Sequence, residues 1–162
     1  MKIKQLKHNE VTYSDFLSID LLEKGVPLEV VMNAAHGQLG IEIDNAAGNA
    51  RAAFVSPGSY IDQEYLLAKQ EASEWLAGGK DETAIPSSVQ DHIEMFGVSA
   101  EAAAQEIVAT AEQWEQALGA IRSVRLGGKA AVSRSETIEA AEQAAKEAVA
   151  ALDAIRPPES SL

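Results

Sequence analysis

One helical stripe, from Ser99 to about Leu126, constrains this chain more than any other stretch. Ala104, Ile107, Ala111, Trp114, Leu118 and Ile121 recur at alternating spacings of three and four. That period places all six on one side of an α-helix. Ser99 precedes the pattern as an N-cap, and Glu101 falls in the first turn, where the helix dipole favours an anion. The stripe has a single large aromatic and needs cover, and most of the remaining chain reads as helices able to supply it.

The length, 162 residues, suits one domain or one domain with an arm. Aromatic residues make up only 5% while alanine is abundant, which favours helices packed closely through small side chains. Alanine buries little area, so such a core is thin and self-association would reinforce it. With no cysteine, disulfides, thiolate metal sites and cysteine nucleophiles are excluded. Residues 1–9 are basic and lack the apolar run of a signal peptide. No stretch approaches the roughly 18 to 20 apolar residues of a membrane span.

The net charge of −12 is unevenly spread. From Tyr60 to Glu115 there are twelve acids against two lysines, whereas Gln116 to Arg134 holds four basic residues and no acid. An acidic chain is expected to avoid nucleic acid unless basic residues are concentrated. Arg122, Arg125, Lys129 and Arg134 form the one such cluster, and the expectation is that they balance acids on neighbouring helices.

The fold class read from the pattern is all-α: helical hairpins or a bundle, five or six helices, the longest at 99–126. Residues 1–12 read as a short irregular or extended start. Ser14 caps a short helix carrying Phe16, Leu17, Ile19, Leu21 and Leu22, and Gly25 stops it. Pro27 opens a second helix through Val30, Val31, Met32 and Ala35, ended by Gly37 and Gly40. The stretch 41–55 reads as helix, with Ala52 to Val55 able to form a short strand. After the break Pro57-Gly58, Ser59 caps a helix with the stripe Ile61, Tyr65, Ala68, Ala72 and Trp75, closed by Gly78-Gly79. Ser87 or Ser88 then caps a short helix carrying Val89, Ile93 and Phe96, with Gly97 at its end.

Gly127-Gly128 bends the central helix or lies within it. Ser133 and Glu136 read as a capping box. The last helix then carries Ile138, Ala141, Ala145, Ala148, Leu152 and Ile155 in a heptad seam, stopped by Pro157-Pro158. This seam is the candidate partner-binding or oligomer surface. Trp114 is expected to be buried against the 59–77 helix beside Ile107, Leu118 and Ile121.

Candidate chemistry is sparse. His8, His36 and His92 have no second histidine at helical ligand spacing. Glu71 with Glu74, and Glu112 with Glu115, share helix faces without the cleft that paired-carboxylate catalysis needs. Gly127-Gly128-Lys129 lacks the leading glycine and the following Ser/Thr of a P-loop. No catalytic, cofactor-binding or metal-binding residue is therefore assigned. Trp75 and Trp114 read as core residues, with a partner groove as the alternative.

A resemblance adds to this reading. Val55-Ser56-Pro57-Gly58, Tyr65 and Lys69-Gln70-Glu71-Ala72 resemble a helical module in tail proteins of tailed bacteriophages. So do Gly97-Val98-Ser99, Ala102-Ala103, Ile107-Val108, Trp114 and the run from Ile121 to Ala131. The likeness covers about residues 41–132 and points to tail-fibre and tail-fibre assembly proteins. Residues 1–40 show no such likeness, and the long β-rich shaft of a complete fibre is absent. The resemblance implies a non-catalytic tail component or a fibre-assembly chaperone, working by helix-mediated contacts with a tail or tail-fibre protein. It implies residence in the bacterial host cytoplasm during assembly or in the virion tail. Neither nucleic acid nor membrane is expected as a partner, and no cofactor.

The organisation expected is an N-terminal arm at 1–40, a helical tail-protein-like domain at 41–132, a heptad helix at 133–157 and a disordered tail at 158–162. The acidic segment from Tyr60 to Glu115 motivates a different class, a small acidic inhibitor that mimics DNA or masks a host protein.

Overall fold

The structure, a computed structural model, describes residues 1–54 and 61–157, with the side chains of 61 and 62 outside the description. The break at Pro57-Gly58, the cap at Ser59, Val55, Pro158 and the expected disordered tail at 158–162 lie outside the described residues. Where Ala52 to Val55 could have formed a short strand, Ala52 ends a helix and Ala53 and Phe54 form a turn. Two strands, β1 (Lys2–His8) and β2 (Val11–Leu17), precede six helices among the described residues. These are α1 (Ser18–Glu23), α2 (Leu28–Ala52), α3 (Ile61–Ala77), α4 (Ser87–Phe96), α5 (Ala100–Arg134) and α6 (Ile138–Asp153). The chain is thus mostly helical, with a long central helix, and it is not all-α. No helix among the described residues is long and apolar enough to cross a membrane.

Two compact units divide these elements. Unit 1 comprises 1–51 and 120–162, and unit 2 comprises 52–119.

In unit 1 the irregular start gives way to an antiparallel hairpin, and β2 takes Phe16 and Leu17 out of the helix expected from Ser14. Asn9 and Glu10 both have positive φ, 47° and 65°, as a two-residue hairpin turn of primed type requires. Register runs from His8↔Val11 to Lys2↔Leu17 but skips Lys4 and Asp15. Asp15 sits there at φ 61°, and the Lys4 amide donates to Gln38 Oε1 on α2 instead, at 3.0 Å. Ile3 and Leu6, three residues apart, are both buried, although a regular strand would send them to opposite faces. The irregularity between them lets both reach one core.

That core joins Ile3 and Leu6 to Leu21, Val26, Val31, Met32, Ala35 and Ile138. Helix α1 ends in a full Schellman motif: Val26 N–H reaches Leu21 O at 3.0 Å and Gly25 N–H reaches Leu22 O at 2.9 Å, with Gly25 at φ 81°.

Helix α2 runs unbroken through Gly37, Gly40 and Gly48, where two separate elements were expected. Each glycine costs about 1 kcal/mol in a helix interior. Val31, Ala35, Leu39, Ile43, Ala46, Ala47 and Ala50 form a buried stripe along it, and tertiary burial outweighs the local penalty. Ile41, off that stripe, is 62% exposed.

Helix α5 likewise passes through Gly127-Gly128 and ends at Arg134. The stripe that reaches Ile121 continues to Arg125, Gly128 and Val132, keeping the four-three-four spacing. Because α5 already contains Ser133, the cap of α6 is Thr137, which accepts from Ala140 N–H at 3.1 Å. The expected box at Ser133 and Glu136 does not form. Helix α6 stops at Asp153, short of Ile155; Pro157 has no N–H for the Asp153 carbonyl, and its ring would clash with that carbonyl in a continued helix.

In unit 2, Ala72, Trp75, Val89, Ala103 and Ala104 make the buried cluster, flanked by Leu76, Ile85, Ile93, Val98 and Ile107. Ser99 Oγ accepts from Ala102 N–H at 3.2 Å, the N-cap contact expected of it. Gly97, at φ 68°, closes α4 by donating to Ile93 O at 2.8 Å. The loop 78–86 is organised by Asp81. Its carbonyl accepts from Trp75 Nε1 at 2.9 Å, and its carboxylate accepts from Thr83 Oγ1 at 2.7 Å and Thr83 N–H at 2.9 Å. Those two bonds, the hydroxyl one first, hold the Asp81 carboxyl below its ordinary range.

Candidate functional site

The α6 seam lies in unit 1. Ile138, Ala141, Ala145, Ala148 and Leu152 are buried, and Ile155 is half-buried beyond the helix end. Ile138 joins the hairpin core. Ala148 lies so close to Gly128 of α5 that a Cβ on Gly128 would overlap the Ala148 methyl, with Ile43 Cδ1 3.5 Å away. Two small residues thus bring the backbones of α5 and α6 together, and Gly128 serves this approach and not phosphate binding.

Beside this contact stands an ion-pair group that the sequence only half announces. Asp44 on α2 accepts from Arg125 at 2.9 Å and from Lys129 at 2.5 Å, both on α5. Arg125 and Lys129 are four apart, so they share a helix face. The Lys129 bond first, then the Arg125 bond, hold the Asp44 carboxyl below its ordinary range against a smaller opposing effect of burial. The basic cluster therefore balances an acid through two of its members, while Arg122 and Arg134 stay exposed. Nothing in the local pattern around Asp44 singles it out. Only the four-residue spacing of the two cations hints that one carboxylate could serve both.

Unit 2 carries most of the charge. Its 68 residues hold the same twelve acids and two lysines, a net −10 of the chain's −12. Both lysines are engaged: Lys69 with Glu115 at 2.6 Å and Lys80 with Glu101 at 2.5 Å. Of the carboxylates considered for catalysis, Glu71, Glu74 and Glu115 have structural partners. Glu71 caps α4 by accepting from Ser88 N–H at 3.2 Å, and Glu74 accepts from Gln70 at 2.8 Å. His92 meets Glu106 at 2.9 Å, a carboxylate fourteen residues away, and its ring packs on Phe96 at 4.5 Å between centroids. Among the described residues no three His, Asp or Glu side chains gather as a metal site.

Of the two tryptophans, Trp75 is buried at 8% exposure. Trp114 is only half-buried and rests against Phe54, ring centroids 5.5 Å apart, instead of filling the core as expected. At the N-terminal end of that cluster α5 presents alanines, whose small side chains leave room for Trp75. Large apolar side chains stand exposed on α3 and α4: Leu66, Leu67, Met95 and Phe96. Phe96 is the informative one, because it follows the buried Val89 and part-buried Ile93 on the same stripe. No family model matches this chain, no curated protein matches it, and no solved structure matches its fold.

Proposed function

We propose that this chain is a non-catalytic bacteriophage tail component or tail-fibre assembly chaperone that acts through helix-mediated contacts with another protein. The observation that carries the interaction part is the set of bulky apolar side chains exposed on helices of a strongly acidic unit, Leu66, Leu67, Met95 and Phe96. Exposed apolar surface rimmed by charge is the usual mark of a protein-binding surface. The tail assignment rests on the resemblance over about residues 41–132. Residence in the host cytoplasm during assembly, or in the virion tail, belongs to the same reading.

The heptad seam enters this reading by exchange. Ile138, Ala141, Ala145, Ala148 and Leu152 already have neighbours inside unit 1, so a partner helix would take them by displacement, starting at the half-buried Ile155. Such seams suit a second helix running alongside. A helical-bundle assembly of this kind is part of the proposal.

Co-expression with a candidate tail-fibre protein, followed by size-exclusion chromatography with light scattering, tests the reading. A stoichiometric complex, or a rise in soluble fibre that depends on this chain, supports it. A fibre that matures equally without the chain and never elutes with it refutes it. The charge of unit 2 favours a second reading, an acidic inhibitor that mimics DNA. Release of DNA from a host DNA-binding protein by the chain would select that one.

A further inference from the structure

We propose that the C-terminal end of α4, carrying Met95 and Phe96 among the acids of unit 2, is the docking surface for a positively charged amphipathic helix of a partner protein. This deepens the reading above and rests on it for the claim that a partner protein exists.

Three observations converge on this short stretch. Val89 and Ile93 turn into the core of unit 2, yet the next residue of their stripe, Phe96, is 59% exposed and its neighbour Met95 is 76% exposed. The stripe therefore outruns its cover. The Phe96 ring is also held in place, because His92 packs on it and is itself fixed to Glu106. A ring ordered before binding loses less rotamer freedom when a partner arrives.

The surroundings decide the occupant. Asp91 and Glu94 are exposed on the same helix, in a unit of net −10 whose two lysines are already paired. A second copy of this unit would set −10 against −10 within a Debye length of about 8 Å, which disfavours self-association there. A cationic partner gains from the same field. The main chain of α4 is satisfied within the helix and closed by Gly97, so no strand edge is offered. Recognition passes through side chains, as when one helix lies against another.

Isothermal titration calorimetry on the full chain tests this. The probe is a synthetic peptide of about 18 residues, leucine and lysine only, with the leucines on one helical face. A scrambled peptide of the same composition is its control. The amphipathic peptide should bind about tenfold tighter than the scrambled one, a difference of about 1.4 kcal/mol. Met95→Ser with Phe96→Ser should remove that advantage, and Met95→Gln alone should weaken binding severalfold with an unchanged thermal melt. Asp91→Asn with Glu94→Gln should weaken binding and flatten its salt dependence. Leu28→Ser with Ile41→Ser, exposed residues of unit 1, should change nothing.

Equal affinity for both peptides, or indifference to Met95→Gln, overturns the proposal and describes an acidic surface with no apolar recognition. If the peptide binds as expected but no tail fibre associates with the chain, the docking surface stands and the tail reading falls. A fibre complex insensitive to Met95→Gln gives the reverse.

Discussion

Gly128→Ala and Gly127→Ala differ by one position on α5 and should move stability in different directions. Both residues are helical, so replacing either with alanine removes about 1 kcal/mol of backbone-entropy penalty. At Gly127 the new methyl meets nothing within 4 Å, and that gain is the whole effect. At Gly128 the methyl overlaps Ala148 on α6 and comes within 3.5 Å of Ile43 on α2. The Ala148 contact is to a Cβ fixed on its own helix, which cannot rotate away. Overpacking of this kind costs about 1–3 kcal/mol. The net change at Gly128 then runs from nearly neutral to a loss of about 2 kcal/mol, and the gap between the variants is about 1–3 kcal/mol.

For a chain of this size each kcal/mol shifts Tm by about 2–4 °C. Circular dichroism melts should therefore show Gly127→Ala about 2–4 °C above the parent and Gly128→Ala clearly below Gly127→Ala. Ala148→Gly weakens the parent through helix propensity, yet it should rescue part of the Gly128→Ala loss, so the double-mutant cycle is non-additive. If both glycine variants gain equally, or the cycle is additive, α5 and α6 do not approach at Gly128.

Other outcomes follow from the same geometry. Asp44→Asn should cost about 0.5–1 kcal/mol at neutral pH, a modest figure because the carboxylate is partly exposed. The Asp44 carboxyl titrates lower in the folded state than in the unfolded chain. Its stabilisation is therefore complete above the unfolded value of about 3.9 and fades as pH falls through the folded value. Denaturation curves of parent and Asp44→Asn should converge in strong acid, and a constant gap down to that range would contradict the ion-pair account. Trp75→Ala should cost about 3–5 kcal/mol and Trp114→Ala clearly less. In single-tryptophan variants, acrylamide should quench Trp114 more strongly than Trp75. Glu10→Gly puts Asn-Gly into the hairpin turn and relieves a left-handed glutamate, for a gain of about 1 kcal/mol in thermal melts.

Local chemistry made much of the helical architecture legible in the amino-acid order. Ser99 caps, Gly25 and Gly97 stop helices, and the stripes of α3, α4, α5 and α6 follow periods of three and four that need no distant neighbour to be seen. The hairpin was not legible, because Ile3 and Leu6 break strict alternation and only the irregularity at Asp15 reconciles them with one core. The continuity of α2 and α5 was decided by tertiary burial. Gly128, which would weaken an isolated helix, is tolerated because Ala148 from another helix occupies the space a side chain would need. The meeting of Asp44 with Arg125 and Lys129 spans more than 80 residues of chain, and no local rule selects that acid among 25. Exposure is likewise a tertiary property. The sequence by itself puts Val89, Ile93 and Phe96 on one stripe, but only packing decides that the cover ends before Phe96, leaving its ring to solvent in the most acidic part of the molecule.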